Sequence, residues 1–575
     1  MKKHLNGNHI FIFAVLCVTI LRLLLTKGLM VYFVAGTQYD DLMQIAKAFS
    51  IANGNWLGEY GPMTLVKGVG YPLTVAFFHL LHIPYILGFH ILYVIGCIAL
   101  IWAIKPIVKN HGILFMGYCF VLFNPIAFSS AITKYYRDIM YYAVCMIFVS
   151  LSLGLLIHRR GKLCALLCGF FLAICILCRE DGQWLYVYIV SCLLATLIFN
   201  SISNKKFDLS FLKEISCVIL SYSVVVLSIC AVNYKFYGTF VTDEYNSGSY
   251  AAAYGAISRL HGESGNTQVV IPYSEREKLY NNSEAFAELK PFLDNNNPQF
   301  EPWKIVDNDY RTGYFSFVLR DAIAALGYYK DAKTTNEYLN RLAEEVNTYC
   351  DENDGNYYHK RNTIVSRFYP EYIPEILKST VQAIKNTTQL SNVSCIPIQC
   401  EEDDAYLRKF ETFTNSTVAG NRYMPSGEII ENYHLVGFPR QMQRMMRVII
   451  IIYKVITPML FIVSIFILLY KAVATCKAYS EHSYLYCISG LSLLLLFLLR
   501  SFMIGYVDAT TFGAVNSPAY LAGSCVVCIA FISLSLSVWV SDLTTACKND
   551  QAKWQIEIKS TPRRERTVRP LNTGK

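Results

Sequence analysis

Acidic and basic residues gather in a few short polar stretches of an otherwise apolar chain. One is Gln38-Tyr39-Asp40-Asp41, followed at some distance by Thr64-Leu65-Val66-Lys67-Gly68. A second is Lys134-Tyr135-Tyr136-Arg137-Asp138, a third Cys178-Arg179-Glu180-Asp181-Gly182, and a fourth candidate is Arg500 with Asp508 after it. Two adjacent carboxylates can divide roles, because each negative charge raises the pKa of the other and can leave a base near neutral pH. Nearby Lys and Arg can hold a phosphate, arginine through a bidentate fork. Asp40, Asp41 and Asp138 are therefore candidates for handling protons, and Lys67, Arg137, Arg179 and Arg500 for binding an anion. Plainer roles stand beside these. Asp40-Asp41 suits the N-terminus of a helix beginning near Leu42, and Arg137-Asp138 and Arg179-Glu180-Asp181 suit local ion pairs at helix ends. His79, His82 and His90 have only weak metal-like spacing, and histidines at a membrane interface are the commoner case.

The elements that must carry these residues are membrane helices. Of 575 residues, 54% are apolar and 16% charged, and the mean hydropathy is +0.33, which excludes an ordinary soluble protein. A hydrocarbon layer of roughly 30 Å needs about 20 apolar residues per helix. Runs of that kind are expected at 9–26, 85–104, 112–129, 139–157, 162–178, 184–199, 212–233, 446–470, 483–503 and 519–540. The chain thus reads as an all-α polytopic membrane protein of about ten transmembrane helices. Residues 1–237 form an N-terminal transmembrane module, 238–445 a soluble extracytoplasmic insert between helices 7 and 8, 446–545 the C-terminal helices, and 546–575 a basic cytoplasmic tail.

Loop charges orient it. A cytoplasmic N-terminus puts Lys105 to Lys109, Arg159-Arg160-Lys162, Lys205-Lys206 and Lys471 to Lys477 all inside, as the positive-inside rule asks. The tail, with eight Lys or Arg against three acids from Lys548 onward, falls on the same side. It reads as solvated and loosely attracted to anionic lipid, and no nucleic-acid partner is expected. The apolar stretch from Tyr71 to Ile83, bracketed by Pro72 and Pro84, is too short to cross and reads as a helix on the outer surface. Arg22 and Lys27 are expected to snorkel to the outer interface. The four charged stretches then all face outward at helix mouths, where an ion near hydrocarbon is costly unless partnered or used. Within the insert, helices are expected over Glu275 to Phe292, Tyr314 to Tyr329, Tyr338 to Tyr349 and Pro374 to about Lys385, and Cys395 and Cys400 are spaced for a disulfide.

In the order of Arg22, Asp40-Asp41, Lys67 and Tyr71-Pro72-Leu73, with Asp138 and Arg179 at later helix mouths, the first 235 or so residues resemble the GT-C superfamily of polytopic glycosyltransferases. The likeness is to the branch holding protein O-mannosyltransferases and the aminoarabinose lipid A transferase. It departs from that pattern in having Asp-Asp where relatives often have Asp-Glu, and Gly68-Val69-Gly70 after Lys67. The resemblance implies a bacterial plasma-membrane enzyme that moves a sugar from a polyprenyl-phosphate donor to a hydroxyl on a lipid, polysaccharide or protein acceptor outside the cell. Asp40, or else Asp41, would be the base, with inversion at the anomeric carbon. Lys67, Arg137 and Arg179, with Arg500 as a further candidate, would meet the donor phosphate, and Asp138 would orient the acceptor or a cation. Trp56, Tyr60, Tyr71, Glu180 and Asp181 are expected around the substrate groove, and no metal or other cofactor is implied. A transporter or flippase would favour charges at mid-membrane on broken helices in matching halves. An O-antigen polymerase or ligase would lean on arginines in late loops.

Overall fold

The computed structural model describes residues 7–34, 38–158, 161–204, 212–260, 266–294, 300–305, 308–353, 357–400, 404–420, 422–423, 429–430 and 436–560. Nine helices come first: α1 (Gly7–Leu24), α2 (Met43–Ala52), α3 (Gly70–Leu80), α4 (Tyr85–Ile104), α5 (His111–Leu122), α6 (Asp138–His158), α7 (Lys162–Cys178), α8 (Trp184–Asn204) and α9 (Leu212–Tyr237). The middle of the chain forms α10 (Ser249–Ile257), α11 (Tyr273–Asn282), α12 (Glu284–Ala287), α13 (Lys290–Leu293), α14 (Thr312–Ala325), α15 (Ala332–Glu352), α16 (Ile373–Thr388) and α17 (Asp404–Thr414). A short antiparallel ribbon of β1 (Arg422–Tyr423) and β2 (Ile429–Ile430) follows, then α18 (Phe438–Lys477), α19 (Glu481–Thr510) and α20 (Pro518–Ser560).

Among the described residues, seven helices are long and apolar enough to cross a membrane: α1 extended to Gly28, α4, α6, α9, α18, α19 and α20 as far as Cys547. A helix apolar all round must be enclosed by protein or by lipid. Both cases occur here, since α6 is wrapped by α4, α7, α8 and α20, whereas α1 and α9 leave most of their apolar surface uncovered. The places of the other three expected spans are taken by α8 and by two shorter helices, α5 with 12 residues and α7 with 17. The expected run 112–129 is broken. α5 stops at Leu122 because Asn124 turns its side-chain oxygen onto the Ile126 N–H at 3.2 Å and Pro125 opens a separate 3₁₀ turn.

Other expectations need correcting. Arg22 does not snorkel: it is fully buried, bonding the Leu122 carbonyl at 3.0 Å and His90 Nδ1 at 2.8 Å. No disulfide joins Cys395 and Cys400. Cys400 Sγ instead accepts the Phe33 N–H at 3.3 Å, and Cys395 Sγ donates to the Gln443 carbonyl at 3.7 Å, so the two are drawn to different neighbours. α20 continues without a break past residue 546, so half of the expected tail is helix, and 561–575 lies outside the described residues, as do Arg159-Arg160 and Lys205-Lys206.

The middle of the chain is helical, and its core of Tyr250, Phe286, Phe315, Leu319 and Leu342 also takes in Tyr39, Met43 and Val66 from the first loop. Arg320 fixes that contact, since its buried guanidinium bonds the Pro62 carbonyl at 3.0 Å and pairs with Glu244 at 2.6 Å. The middle of the chain therefore packs directly on the loop that carries Asp40.

Helix packing sets a steric limit that can be tested at Gly169 on α7, where a Cβ would lie 2.2 Å from the Val218 carbonyl of α9. Gly169→Leu is expected to lower the detergent-solubilised protein's thermal midpoint, with overpacking costing about 1–3 kcal/mol. Gly7→Ala, where the added Cβ meets nothing within 4 Å, should leave the midpoint where it is.

Candidate functional site

Asp40 and Asp41 lie in a wide π-type turn, Gln38–Leu42, that runs straight into α2. Such turns often mark functional positions. Neither carboxylate caps α2. Asp40 meets Lys67 at 2.5 Å, and the Lys67 ammonium also donates to the Tyr39 carbonyl at 2.6 Å and the Tyr136 hydroxyl at 2.7 Å. Asp41 goes the other way, to Lys134 at 2.8 Å and the Val34 N–H at 2.9 Å.

The second and third stretches pair with each other. Arg137 binds Glu180 and Arg179 binds Asp138, so the loop before α6 is clamped to the end of α7. Arg179 also holds Asp181 at 2.8 Å, and Arg500 of α19 reaches the same carboxylate at 2.9 Å. Glu180 closes the circuit by accepting the Gly68 N–H at 3.0 Å. Glycine is required at 68, since a Cβ would come within 2.2 Å of the Leu177 carbonyl, and this close approach brings Lys67 over the α7 terminus. The Tyr136 ring lies among three of the cations, 5.0 Å from Lys67, 5.4 Å from Lys134 and 5.2 Å from Arg137.

The structure thus joins Asp40, Asp41, Asp138, Lys67, Arg137, Arg179, Arg500, Glu180 and Asp181, together with Lys134, in one network. Five carboxylates face five cations. They differ in access: the Asp40 side chain is 37% exposed and Asp181 31%, against 1% for Asp41, 8% for Asp138 and 14% for Glu180.

Their electrostatics separate the acidic pair. Burial pushes the Asp41 carboxyl up to about 6, although Lys134 and the Val34 N–H draw it down. Burial works against Asp40 as well, but Lys67, Lys134 and Arg137 outweigh it and hold that carboxyl well below the usual carboxylate range. Glu180 and Asp181 are likewise kept low against burial, by Arg137 for the first and by Arg179 and Arg500 for the second.

Three expected groove residues sit elsewhere. Tyr71 is fully buried, with its hydroxyl 2.9 Å from that of Tyr85, because α3 turns it inward. Trp56 is held by Asn233 of α9 at 2.9 Å, and Tyr60 by Glu244 at 3.1 Å. Asp508 is also apart, binding Ser379 and the N–H groups of Ala514 and Val515. Lys134 and Tyr136 were visible as part of a charged stretch, but nothing local marked them as contacts of Asp41 and Lys67. Tyr39 joins through the insert, with its hydroxyl 2.5 Å from Asp321 and its ring stacked on Phe317 at 4.6 Å. Lys47 had no signal beyond its charge; burial pushes its ammonium down to about 7.

α2 places the network beside an apolar groove. One of its faces buries Gln44 and Lys47; the other presents Leu42, Ile45, Ala46 and Phe49 to a groove of about 570 Å³ closed by Tyr406, Phe410 and Phe413 of α17. Compared with family models, curated proteins and solved structures, the chain matches none.

Two outcomes follow from the charges. Since its folded value is raised, Asp41 favours folding in its protonated form, and that contribution is lost as pH climbs from the ordinary carboxylate range through about 6. Infrared difference spectra should show a protonated-carboxyl band fading near pH 6, diminished in Asp41→Asn and intact in Asp40→Asn. Arg179→Gln strips Asp138 and Asp181 of a shared cation, and chemical denaturation should report a loss of about 3–5 kcal/mol.

Proposed function

We propose that the chain is a membrane glycosyltransferase that moves a sugar from a polyprenyl-phosphate donor to an acceptor hydroxyl at the extracytoplasmic face. The observation that carries this reading is the adjacency just described: a partly open carboxylate, Asp40, inside a ring of cations, with an apolar groove beginning two residues later at Leu42. A lipid-linked sugar phosphate has the matching parts. Its isoprenoid chain suits the groove between α2 and α17, and its charged head suits the side where Lys67 and Arg137 lie.

The even balance of charge shapes the mechanism. With five acids already matched to five cations, an anionic head enters by taking a cation from one of the carboxylates. Asp40 is the most open of them and shares Lys67 with only backbone and hydroxyl oxygens, so it yields first. Donor phosphate on Lys67 would then free the Asp40 carboxylate and raise its proton affinity as the ammonium turns away. The acceptor oxygen attacks the anomeric carbon as its proton passes to Asp40, the bond from that carbon to the phosphate oxygen breaks, and configuration inverts. Negative charge grows on the departing polyprenyl phosphate, where Lys67, Arg137 and Arg179 stabilise it. Asp138 and Asp181 serve by holding Arg179 in place. Asp41, turned away toward Lys134 and almost wholly covered, positions the π turn and does not touch substrate.

The outer side of the membrane is assigned to this site from loop charge, with both termini in the cytoplasm, and a bacterial plasma membrane fits the short loops. Ten crossings are reached if α5, α7 and α8 span in company with their neighbours.

Asp40→Asn should lower transfer from a radiolabelled polyprenyl-phosphate sugar by about 10²–10⁴-fold in membranes while donor still binds. Lys67→Gln should weaken donor binding as well as rate. Full transfer by Asp40→Asn refutes the mechanism, and donor crossing the bilayer without any transfer product would identify a flippase instead.

A further inference from the structure

Exposed apolar side chains are distributed unevenly over the middle of the chain. Among the described residues from 241 to 357, no large apolar side chain is exposed. From 358 onward they reappear close together, as Val365, Phe368, Ile373, Leu377 and Val381, with Ile396 and Ile398 further along. Large apolar side chains exposed this close together in the chain point to contact with something other than water.

The helix that carries most of it is α16. Residues at i, i+4 and i+8 share a stripe, so Ile373, Leu377 and Val381 line one flank, exposed by 42%, 53% and 65%. Lys378 and Lys385 stand beside that stripe on the same open side. The opposite flank, with Ile376 and Ala383, is buried against α19. That contact is close: Thr380 sits on Gly505, Ser379 bonds Asp508 at 2.7 Å, and Tyr506 bonds the Ser366 carbonyl at 2.6 Å. α19 is one of the seven helices able to cross a membrane. Gly505 lies five residues past Arg500, about 7.5 Å along the axis. α16 is therefore tied to the last turns of a helix long and apolar enough to cross a membrane, and an interfacial helix there would bury its apolar face about 5–10 Å into the boundary of headgroups and acyl chains.

We propose that residues 358–398 form an interfacial shelf, with the stripe of Val365, Phe368, Ile373, Leu377 and Val381 lying in the adjoining lipid leaflet and Lys378 and Lys385 at its phosphates. Two features favour lipid as the occupant over a protein. The stripe is flanked by Lys385 and by Lys378, which pairs with Glu375 at 3.4 Å, and it is held by a helix long and apolar enough to cross a membrane whose own Leu495, Leu498 and Phe502 are exposed. The lobe from 241 to 357 stands clear of the membrane in this arrangement, and the shelf fixes its height over the charged network. This inference does not depend on the reaction assigned to that network.

The test uses the full chain in nanodiscs, with a nitroxide attached through a ketone-bearing unnatural side chain at position 377 or 381, and at position 333 as a solvated control, where Lys333 is 85% exposed. Collisions with oxygen, which partitions into lipid, are compared with collisions with a water-soluble nickel chelate. The oxygen-to-nickel ratio is expected to be several-fold higher at 377 and 381 than at 333. A ratio no higher than at 333 overturns the shelf. Dipolar broadening between labels in discs that hold two copies would put a second chain on the stripe and overturn it too. Because both positions are exposed, the labels leave the packing on α19 intact, and an unchanged thermal midpoint verifies that.

Discussion

Neutralising charge away from water is the constraint on which the rest of this structure depends. An unpaired ion in such a place costs several kcal/mol, so each of the ten charged side chains at the site must find a partner. The partners are not neighbours in sequence. Arg137 reaches Glu180 and Arg179 reaches Asp138, so each short stretch supplies what the other lacks, and the mouths of α6 and α7 cannot separate without exposing four charges. Arg500 extends the clamp to α19, and Lys67 extends it to the π turn before α2. The packing of the apolar helices sets where these loops emerge, but the ion pairs fix their register.

The same constraint explains why α2 is built inside out. Its polar residues Gln44 and Lys47 are buried and its apolar residues Ile45 and Phe49 line an open groove, the reverse of an ordinary surface helix. The arrangement is stable only between two unlike environments, a polar interior on one side and an apolar occupant or lipid on the other. The insert supplies part of that polar interior, since Tyr39 is pinned by Asp321 and Phe317 just before the turn that carries Asp40. Loop, helix and the middle of the chain thus together keep the ion-pair network and the apolar groove within a few residues of each other.

Much of this was legible in the sequence and some was not, for identifiable reasons. Long apolar runs report their own burial, so α4, α6, α9, α19 and α20 fall where hydropathy puts them, and the helical spacing of Tyr338, Leu342 and Val346 gives α15. The charged stretches were visible because ions are rare in such a chain. Their pairing was not, because Arg137 beside Asp138 invites a local pair, whereas each finds its partner on the distant stretch at 179–180. Tyr71 and Trp56 misled for a related reason: an aromatic near a polar loop can face inward or outward, and only the packing of Tyr85 on the first and Asn233 on the second decides it. Arg22 looked free to snorkel, but the turn at Asn124-Pro125 leaves the Leu122 carbonyl within its reach, and a backbone acceptor deep in the bundle carries no sequence signal.

Asp40 and Asp41 are alike in the sequence and unlike in the fold. One covalent step along the chain separates a carboxylate held ionised by three cations from one whose burial lifts it to about 6. The two side chains leave the π turn toward different partners, Asp40 to Lys67 and Asp41 to Lys134 and the Val34 N–H. Mutual repulsion is then the smaller effect for both: burial and the choice of cation dominate. An anion that competes for Lys67 acts on Asp40 and leaves the Asp41–Lys134 pair in place. The pair of carboxylates is therefore divided into one covered group tied to Lys134 and one partly open group on Lys67.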